Sequence, residues 1–161
     1  MQDSSKKKIV LFDIDYTLFD TDILKQSNLK IHSLYKEVTN VLDQLSKKVN
    51  IGIFSEGEIT LQKKKLIETE IEKYFYKEHV YIVEKKDQRS FELFKNYEHF
   101  NLFLVDDKLT VLYEIKKIYP YVFTIWVKRG KYANVQKPIK DFVPDAQLDN
   151  LEDLVSIVES N

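Results

Sequence analysis

Residues 8–17, KIVLFDIDYT, contain the stretch of sequence that decides the fold. Its apolar part, residues 8–12, is rich in β-branched, aliphatic and aromatic side chains, which is typical of a strand buried on both faces of a parallel sheet. The apolar run ends at Asp13, and Asp15 and Thr17 follow it. Open α/β sheets bind ligands beyond the carboxyl ends of their strands. The stretch therefore predicts both a central strand and a functional site at its end.

Four more apolar runs of the same kind follow along the chain. The five predicted strands are 8–13, 50–54, 79–83, 101–105 and 121–127. Amphipathic segments lie between them, with apolar side chains at helical spacing; an example is the set Leu34, Val38, Val41, Leu42 and Leu45. Alternating strands and helices favour right-handed βαβ units. The prediction is an α/β protein, a three-layer α/β/α sandwich with a five-stranded, mainly parallel sheet.

The chain has 161 residues, which suits a single domain spanning 1–161. Residues 16–32 do not fit the alternation, and we interpret them as a short, flap-like excursion over the sheet edge rather than a large cap. Residues 128–148 are predicted to be irregular, because Gly130, Pro138 and Pro144 interrupt any periodic pattern.

Composition narrows the class of protein. The formal net charge is −1, so no global field favours nucleic acid or an anionic membrane. The absence of cysteine excludes a disulfide scaffold, a thiolate nucleophile and a cysteine-based zinc site. No apolar run approaches the roughly 20 residues that a membrane span needs, and no signal peptide is visible. We expect a cytoplasmic protein that does not bind membranes; nucleic acid is disfavoured as a partner, and a homo-oligomer stays open.

Polar side chains follow four of the predicted strands. They are Asp13, Asp15 and Thr17 after the first strand, Ser55 and Glu56 after the second, Lys85 and Lys86 after the third, and Asp106 and Asp107 after the fourth. The carboxyl ends of parallel strands meet at one sheet edge, and converging carboxylates repel each other unless a cation lies between them. Oxygen ligands of this kind suit Mg²⁺. With a lysine and a serine nearby, such a site fits phosphoryl transfer.

The motifs around these residues resemble those of the haloacid dehalogenase-like (HAD) superfamily of phosphatases. FDIDYTLF resembles the first motif of the family, IFSEG the second, VEKKDQRSFELF the third and LFLVDD the fourth. Their order and approximate spacing agree over residues 8–127, and the ending VPDAQLDNLEDLVSIV is also similar. Each motif alone is weak, whereas the combination of four is specific. The resemblance implies the Rossmann-like HAD fold.

The resemblance also implies a role for each residue. Asp13 would be the nucleophile and a metal ligand, and Asp15 the general acid/base, with its backbone carbonyl on the metal. Thr17 would support the turn of the first motif. The remaining implied roles are a hydrogen bond from Ser55 to the phosphoryl group, a contact of Lys86 or Lys85 with nucleophile and phosphate, and Mg²⁺ ligation by Asp106 and Asp107. The spacing to Phe91 favours Lys86, but the sequence does not decide between Lys86 and Lys85.

Two residues depart from the family pattern. Tyr16 stands where glycine is common, which would shape the entrance to the site. Glu56 follows Ser55 where asparagine is more usual, and it would add negative charge beside the phosphate-binding residues.

The predicted activity is Mg²⁺-dependent hydrolysis of a phosphate monoester through an aspartyl-phosphate on Asp13. The dehalogenases of the family lack the second aspartate of the first motif, so Asp15 favours phosphoryl transfer over dehalogenation. Two alternatives remain: a non-catalytic HAD-like binding or scaffold protein, and a phosphotransferase or mutase. The class of phosphorylated substrate stays open.

Ordinary structural explanations compete with these assignments. Ser55 and Glu58 have the spacing of a capping box for the following helix. Asp106 and Asp107 could be an N-cap pair. The cluster Lys63–Lys65 is predicted to be a solvated helix face.

Overall fold

The computed structural model describes residues 6–161, so the first five residues of the predicted domain lie outside the described residues. One parallel sheet forms the middle of the molecule, with the strand order β3-β2-β1-β4-β5-β6. Its strands are β1 (Lys8–Phe12), β2 (Asn50–Glu56), β3 (Val80–Val83), β4 (Asn101–Asp106), β5 (Phe123–Val127) and β6 (Ala146–Leu148). The α/β class and the parallel sheet are confirmed.

The number of strands is six, so the prediction of five is wrong by one. β6 lies in the region that was predicted to be irregular, and it pairs in parallel with β5 through Ile125 and Ala146. It has only three residues, none of them fully buried. A short edge strand of this kind carries no run of apolar side chains, which is why the sequence pattern does not predict it.

Helices connect the strands on both faces of the sheet. They are α1 (Thr21–Gln26), α2 (Val38–Ser46), α3 (Ile59–Glu68), α4 (Gln88–Phe91), α5 (Leu109–Ile118) and α6 (Leu154–Ser160). Three short 3₁₀ segments span Glu72–Tyr74, Lys77–His79 and Glu92–Tyr97. No helix within residues 6–161 combines the length and the apolar character needed to cross a membrane.

Alternating side chains of the buried strands divide the core into two layers. In β1, Val10 and Phe12 belong to the apolar cluster that includes buried residues of α2 and α6. Ile9 and Leu11 belong to the cluster that includes residues of α4 and α5. Successive side chains of a strand point to opposite faces, so the central strand is covered by helices on both sides. This arrangement is the predicted three-layer sandwich.

The order in which the chain adds strands to the sheet reverses between β1 and β4, which are neighbours in the sheet. After β1 the chain adds β2 and β3 on one side, then crosses over to build β4, β5 and β6 on the other. Phe12 of β1 is level with Val105 of β4, and the backbone N–H of Asp13 donates to the Val105 carbonyl at 2.9 Å. Loops diverge at such a switch point and leave a crevice at the carboxyl ends of the strands. Asp13 and Asp106 therefore lie side by side at this crevice.

The excursion at residues 16–32 contains α1 and an irregular return. Tyr16 has a φ of 57°, an unusual backbone conformation for a bulky side chain. Its ring lies edge-on to Tyr132 with ring centres 5.5 Å apart. Gly130 passes so close that a Cβ atom there would lie 2.2 Å from the Tyr16 ring. Tyr16 thus joins the excursion to the loop after β5.

Two local predictions are wrong. The residue that caps α3 is Glu58, whose carboxylate accepts from the backbone N–H of Thr60 and Leu61, so Ser55 and Glu58 do not form a capping box. Ser55 instead lies inside β2. The spacing of Phe91, Phe94 and Tyr97 predicts another helix, but this segment consists of the single turn α4 and a 3₁₀ segment.

Candidate active site

Three buried carboxylates meet at the switch point. Asp13 follows β1, and Asp106 and Asp107 come from the end of β4 and the loop after it. One oxygen atom of each side chain lies within 4.8 Å of the others, and the exposed fractions of the three residues are 6%, 0% and 2%. The strand ends bring these side chains together because β1 and β4 are neighbours in the sheet.

A buried lysine lies between two of these carboxylates. The Nζ atom of Lys86 donates to Oδ1 of Asp13 at 2.7 Å and to Oδ2 of Asp106 at 2.6 Å. The same ammonium lies 5.0 Å from the centre of the Phe54 ring. Burial acts to lower the pKa of Lys86, but the charges of Asp106 and Asp13 outweigh it and the net pKa is raised. Lys86 therefore stays a cation at the centre of the cluster.

The remaining negative charge fits a divalent cation. Burial raises the pKa of Asp13 despite the nearby Lys86 charge, and burial together with the charges of Asp13 and Asp106 raises the pKa of Asp107. Three carboxylates and one ammonium leave two negative charges when all are ionised. In addition, Oδ2 of Asp107 is buried without a hydrogen-bond partner among the described residues. Carboxylate oxygens that lack a donor suit Mg²⁺ as ligands, so the residues present fit this ion.

Ser55 is held by a residue that the sequence analysis did not single out. The side-chain amide nitrogen of Gln62, in α3, lies 3.1 Å from Oγ of Ser55, 2.9 Å from the backbone carbonyl of Glu56 and 2.8 Å from Oδ2 of Asp15, so its two protons are shared among three acceptors. Because the Ser55 oxygen accepts this bond, its hydroxyl proton remains available as a donor. Ser55 is fully buried at the end of β2.

Asp15 is tied to α1 and α3. Its Oδ1 accepts from Oγ1 of Thr21 at 2.7 Å and from Nζ of Lys65 at 2.6 Å, and its Oδ2 accepts from the amide of Gln62 at 2.8 Å. Burial acts to raise the pKa of Asp15, but the Lys65 charge and these hydrogen bonds outweigh it. The net pKa lies below its usual range, so Asp15 is ionised at neutral pH in the free site.

The interpretation of Lys63–Lys65 as a solvated face is wrong for Lys65. Its side chain is only 3% exposed, whereas Lys63 and Lys64 are exposed. One signal was available in the sequence: Gln62 and Lys65 lie three residues apart and next to Leu66, on the face of α3 that packs inward. A polar pair on an apolar face points to a buried partner, and here the partner is Asp15.

Thr17 supports the turn after β1 from inside the protein. Its hydroxyl donates to Oδ2 of Asp13 at 3.3 Å, and its backbone carbonyl accepts from the guanidinium of Arg129. The same guanidinium forms a buried ion pair with Glu37 and lies 3.7 Å from the centre of the Tyr35 ring. Arg129 thus fixes the loop after β5 against the turn that carries the first two aspartates.

Lys85 and Glu56 lie outside the innermost cluster. Lys85 is exposed to solvent, whereas Lys86 points inward, which separates two residues that the sequence could not. The Glu56 carboxylate accepts from the backbone N–H of Lys86 at 2.7 Å and pairs with Lys108 at 3.5 Å. Its charge is therefore engaged by the chain itself at the rim of the site.

A cavity of about 290 Å³ opens above the carboxylates. Acidic side chains form part of its lining, together with Tyr16, Tyr132 and several apolar and basic side chains of α1 and α3. The aliphatic and basic residues of the lining are Leu24, Lys25, Leu29, Leu61, Lys65 and Lys108. The cavity combines a charged floor with partly apolar walls, and its many charged groups suit a small charged ligand.

Solved structures with the same fold include proteins described as haloacid dehalogenase-like hydrolases and as dehalogenases. A haloacid dehalogenase-like hydrolase from Burkholderia xenovorans is 19% identical, with a TM-score of 0.77 over 96% of this chain and 98% of that chain. The HAD-hydrolase YfnB from Bacillus subtilis, in a structure bound to magnesium, is 12% identical, with a TM-score of 0.74 over 96% and 99%. A 2-haloacid dehalogenase from Pseudomonas syringae is 14% identical, with a TM-score of 0.68 over 96% and 99%.

The sequence matches no protein-family model and no curated protein. The structural likeness extends over nearly the whole chain at low sequence identity, so it concerns the fold. The chain has the α/β fold of the haloacid dehalogenase-like hydrolases.

Proposed function

We propose that this chain is a Mg²⁺-dependent phosphohydrolase that cleaves a phosphate monoester through an aspartyl-phosphate on Asp13. The observation that carries the proposal is the buried cluster of Asp13, Asp106 and Asp107 with the Lys86 ammonium between two of its members. Such a concentration of buried charge costs stability, and clusters of this kind with shifted pKa values occur preferentially at functional sites. We further propose that it acts in the cytoplasm as a single-domain enzyme without a large cap.

The metal-binding residues would be Asp13, Asp106 and Asp107. Their buried carboxylate oxygens lie within 4.8 Å of one another, and Oδ2 of Asp107 lacks a donor among the described residues. When bound, Mg²⁺ would supply positive charge that offsets the negative charge of a phosphoryl group. The B. subtilis structure with this fold is described as bound to magnesium, which supports the choice of ion.

In the first step the Asp13 carboxylate attacks the phosphorus atom, and an Asp13–phosphorus bond forms as the bond to the leaving oxygen breaks. The leaving oxygen takes the electron pair of that bond and receives a proton from Asp15. Lys86 holds Asp13 at 2.7 Å and orients it for attack. The hydroxyl of Ser55, whose oxygen already accepts from Gln62, is available to donate to a phosphoryl oxygen.

In the second step a water molecule attacks the phosphorus atom of the aspartyl-phosphate. Asp15 accepts a proton from this water, and the bond between Asp13 and phosphorus breaks, which restores the Asp13 carboxylate and releases inorganic phosphate. Asp15 is ionised in the free site, which is the form that accepts a proton. The first step requires the protonated form, so Asp15 takes up a proton from solvent before the leaving oxygen departs.

Asp15 also argues against dehalogenation, although dehalogenases share this fold. A halide leaves without a proton, whereas an alkoxide leaving group needs one. Three buried or half-buried donors hold the Asp15 carboxylate. A phosphatase needs this carboxylate in a fixed position for proton transfer. The scaffold alternative is disfavoured by the same set of residues, because a binding protein does not need them all.

Hydrolysis of p-nitrophenyl phosphate by the wild type and by Asp13→Asn, with Mg²⁺ or with EDTA, tests the proposal. We expect turnover that requires both Mg²⁺ and Asp13. Acetyl phosphate and an alkyl phosphate serve as additional substrates, in case the aromatic ring does not fit the cavity. A wild type that hydrolyses none of these and binds neither Mg²⁺ nor vanadate would contradict the proposal and favour a scaffold.

A further inference from the structure

The carboxylate of Asp15 has most of its hydrogen-bonding capacity occupied by the protein. A carboxylate offers about four acceptor positions, two on each oxygen. Oδ1 accepts from Thr21 and Lys65, and Oδ2 accepts from Gln62. Three positions are thus taken, and one position on Oδ2 remains for a proton that moves during the reaction.

Two of the three donors come from one face of α3. Gln62 and Lys65 are three residues apart, and they are 2% and 3% exposed. Gln62 also donates to Ser55 and to the Glu56 carbonyl, at the end of β2. The pair therefore connects the loop after β1 with the end of β2 through a rigid helix.

A purely structural role does not account for this pair. Asp15 is 30% exposed, whereas the lysine that binds it is almost completely buried. Removing an ammonium group from water costs several kcal/mol, and a well-packed apolar side chain at the same position often stabilises a protein as much or more. The buried lysine is better explained by what it does to the orientation of Asp15.

We propose that Gln62 and Lys65 are positioning residues that fix the Asp15 carboxylate so that the remaining acceptor position on Oδ2 carries the transferred proton. This inference rests on the proposed phosphatase function. In the first step the proton leaves Oδ2 for the leaving oxygen as the bond from that oxygen to phosphorus breaks. In the second step the same position receives a proton from the attacking water. Neither Gln62 nor Lys65 exchanges a proton or touches the phosphoryl group in this scheme.

The test compares two substrates that differ in their need for a proton. An alkyl phosphate has a leaving group that requires protonation, whereas p-nitrophenolate leaves without it. The quantity to measure is kcat/KM, because it reports the steps up to the departure of the leaving group and not the later hydrolysis of the intermediate. The variants are Lys65→Met and Gln62→Met, which remove the donors while keeping unbranched side chains. Lys63→Met, on the exposed face of the same helix, is the matched control.

For the alkyl phosphate we expect kcat/KM to fall by about 10- to 100-fold in Lys65→Met and Gln62→Met, since small displacements of a catalytic group cost that much. For p-nitrophenyl phosphate we expect a loss of less than about threefold in Lys65→Met, because the Asp15 proton contributes little there. Gln62→Met also loses the contact with Ser55, so it should slow both substrates, and the alkyl phosphate more. Lys63→Met should match the wild type with both substrates. Thermal unfolding of each variant shows whether it is folded at the assay temperature.

A double-mutant cycle separates positioning from general damage. In an Asp15→Asn background, Lys65→Met should add less than about a twofold loss with the alkyl phosphate, because the group that it positions is already gone. Equal losses with the two substrates in folded variants, or additive losses in the cycle, would overturn the inference and leave the phosphatase proposal intact. A wild type inactive toward both substrates would overturn the phosphatase proposal and the inference with it.

Discussion

The Nζ atom of Lys86 lies 2.7 Å from Oδ1 of Asp13 and 2.6 Å from Oδ2 of Asp106, and all three side chains are buried. One cation thus joins the ends of two neighbouring strands. The loops that follow β1 and β4 diverge at the switch point. The Lys86 contact therefore holds the two sides of the crevice together. This buried contact also distinguishes Lys86 from the exposed Lys85.

Lys86→Met should abolish most of the activity, whereas Lys85→Met should not. The first variant removes the cation that orients Asp13, and the loss of a preorganised charge of this kind costs about 10²–10³-fold in kcat. The second removes an exposed charge outside the cluster. Steady-state kinetics of both variants with p-nitrophenyl phosphate check the prediction. Equal effects of the two substitutions would mean that the buried contact does not serve catalysis.

Asp107→Asn should change stability in opposite directions with and without Mg²⁺. In EDTA the variant should unfold at a higher temperature than the wild type, since burial and the charges of Asp13 and Asp106 penalise the Asp107 carboxylate. With Mg²⁺ at about a hundred times its Kd, the wild type should gain roughly 3 kcal/mol of stability and the variant much less.

Thermal unfolding with EDTA and with a series of Mg²⁺ concentrations gives both quantities. Asp149→Asn, at an exposed acidic residue far from the cluster in sequence, is the control and should behave as the wild type. A variant with the full Mg²⁺-induced rise in Tm would show that Asp107 is not a ligand.

Asp15→Asn should affect substrates according to their leaving groups. With an alkyl phosphate, kcat/KM should fall by about 10²–10⁴-fold, because the leaving oxygen loses its proton donor. With p-nitrophenyl phosphate the loss should be much smaller. Parallel measurements on both substrates suffice, and equal losses would count against the assigned role of Asp15.

Glu37 should contribute to a loss of stability in acid. Burial acts to raise the pKa of Glu37, but hydrogen bonds from Arg129 and from the backbone outweigh it, so its pKa is lower in the folded state. A carboxyl with a depressed pKa stabilises the fold above its unfolded pKa, near 4.5, and this contribution disappears as the pH falls further.

Glu37→Gln should therefore destabilise the protein at pH 7 by about 3 kcal/mol, since it leaves the Arg129 charge buried without its counter-charge. The difference from the wild type should shrink as the pH decreases below about 4.5. Urea unfolding at several pH values measures it. A difference that is constant with pH would show that the ion pair is not responsible.

Strands were the most predictable part of the fold. All five predicted strands exist, because each carries a run of mainly apolar side chains that pack on both faces of the sheet. β6 was missed because the pairing of Ala146–Leu148 with β5 depends on neighbours far away in sequence rather than on its own side chains. Phe91, Phe94 and Tyr97 are spaced by three residues, a period that fits the 3₁₀ segment better than the predicted helix.

The candidate site was predictable in its strand-end residues and not in those of α3. Asp13 and Asp106 follow apolar strands, so sequence position alone predicts where they lie. Lys65 and Gln62 act through contacts with Asp15 that depend on how α3 packs against the loop after β1. Lys65 follows two exposed lysines, Lys63 and Lys64, so the sequence did not show that it is buried.

Trapping the covalent intermediate tests directly whether Asp13 is the nucleophile. The wild type and Asp13→Asn are mixed with acetyl phosphate and Mg²⁺, quenched in acid during turnover, digested and analysed by mass spectrometry. We expect a mass increase of one phosphoryl group on the peptide that contains Asp13, present in the wild type and absent from the variant. Turnover by the wild type with the phosphoryl group on another residue, or Asp13→Asn retaining full activity, would contradict this role of Asp13.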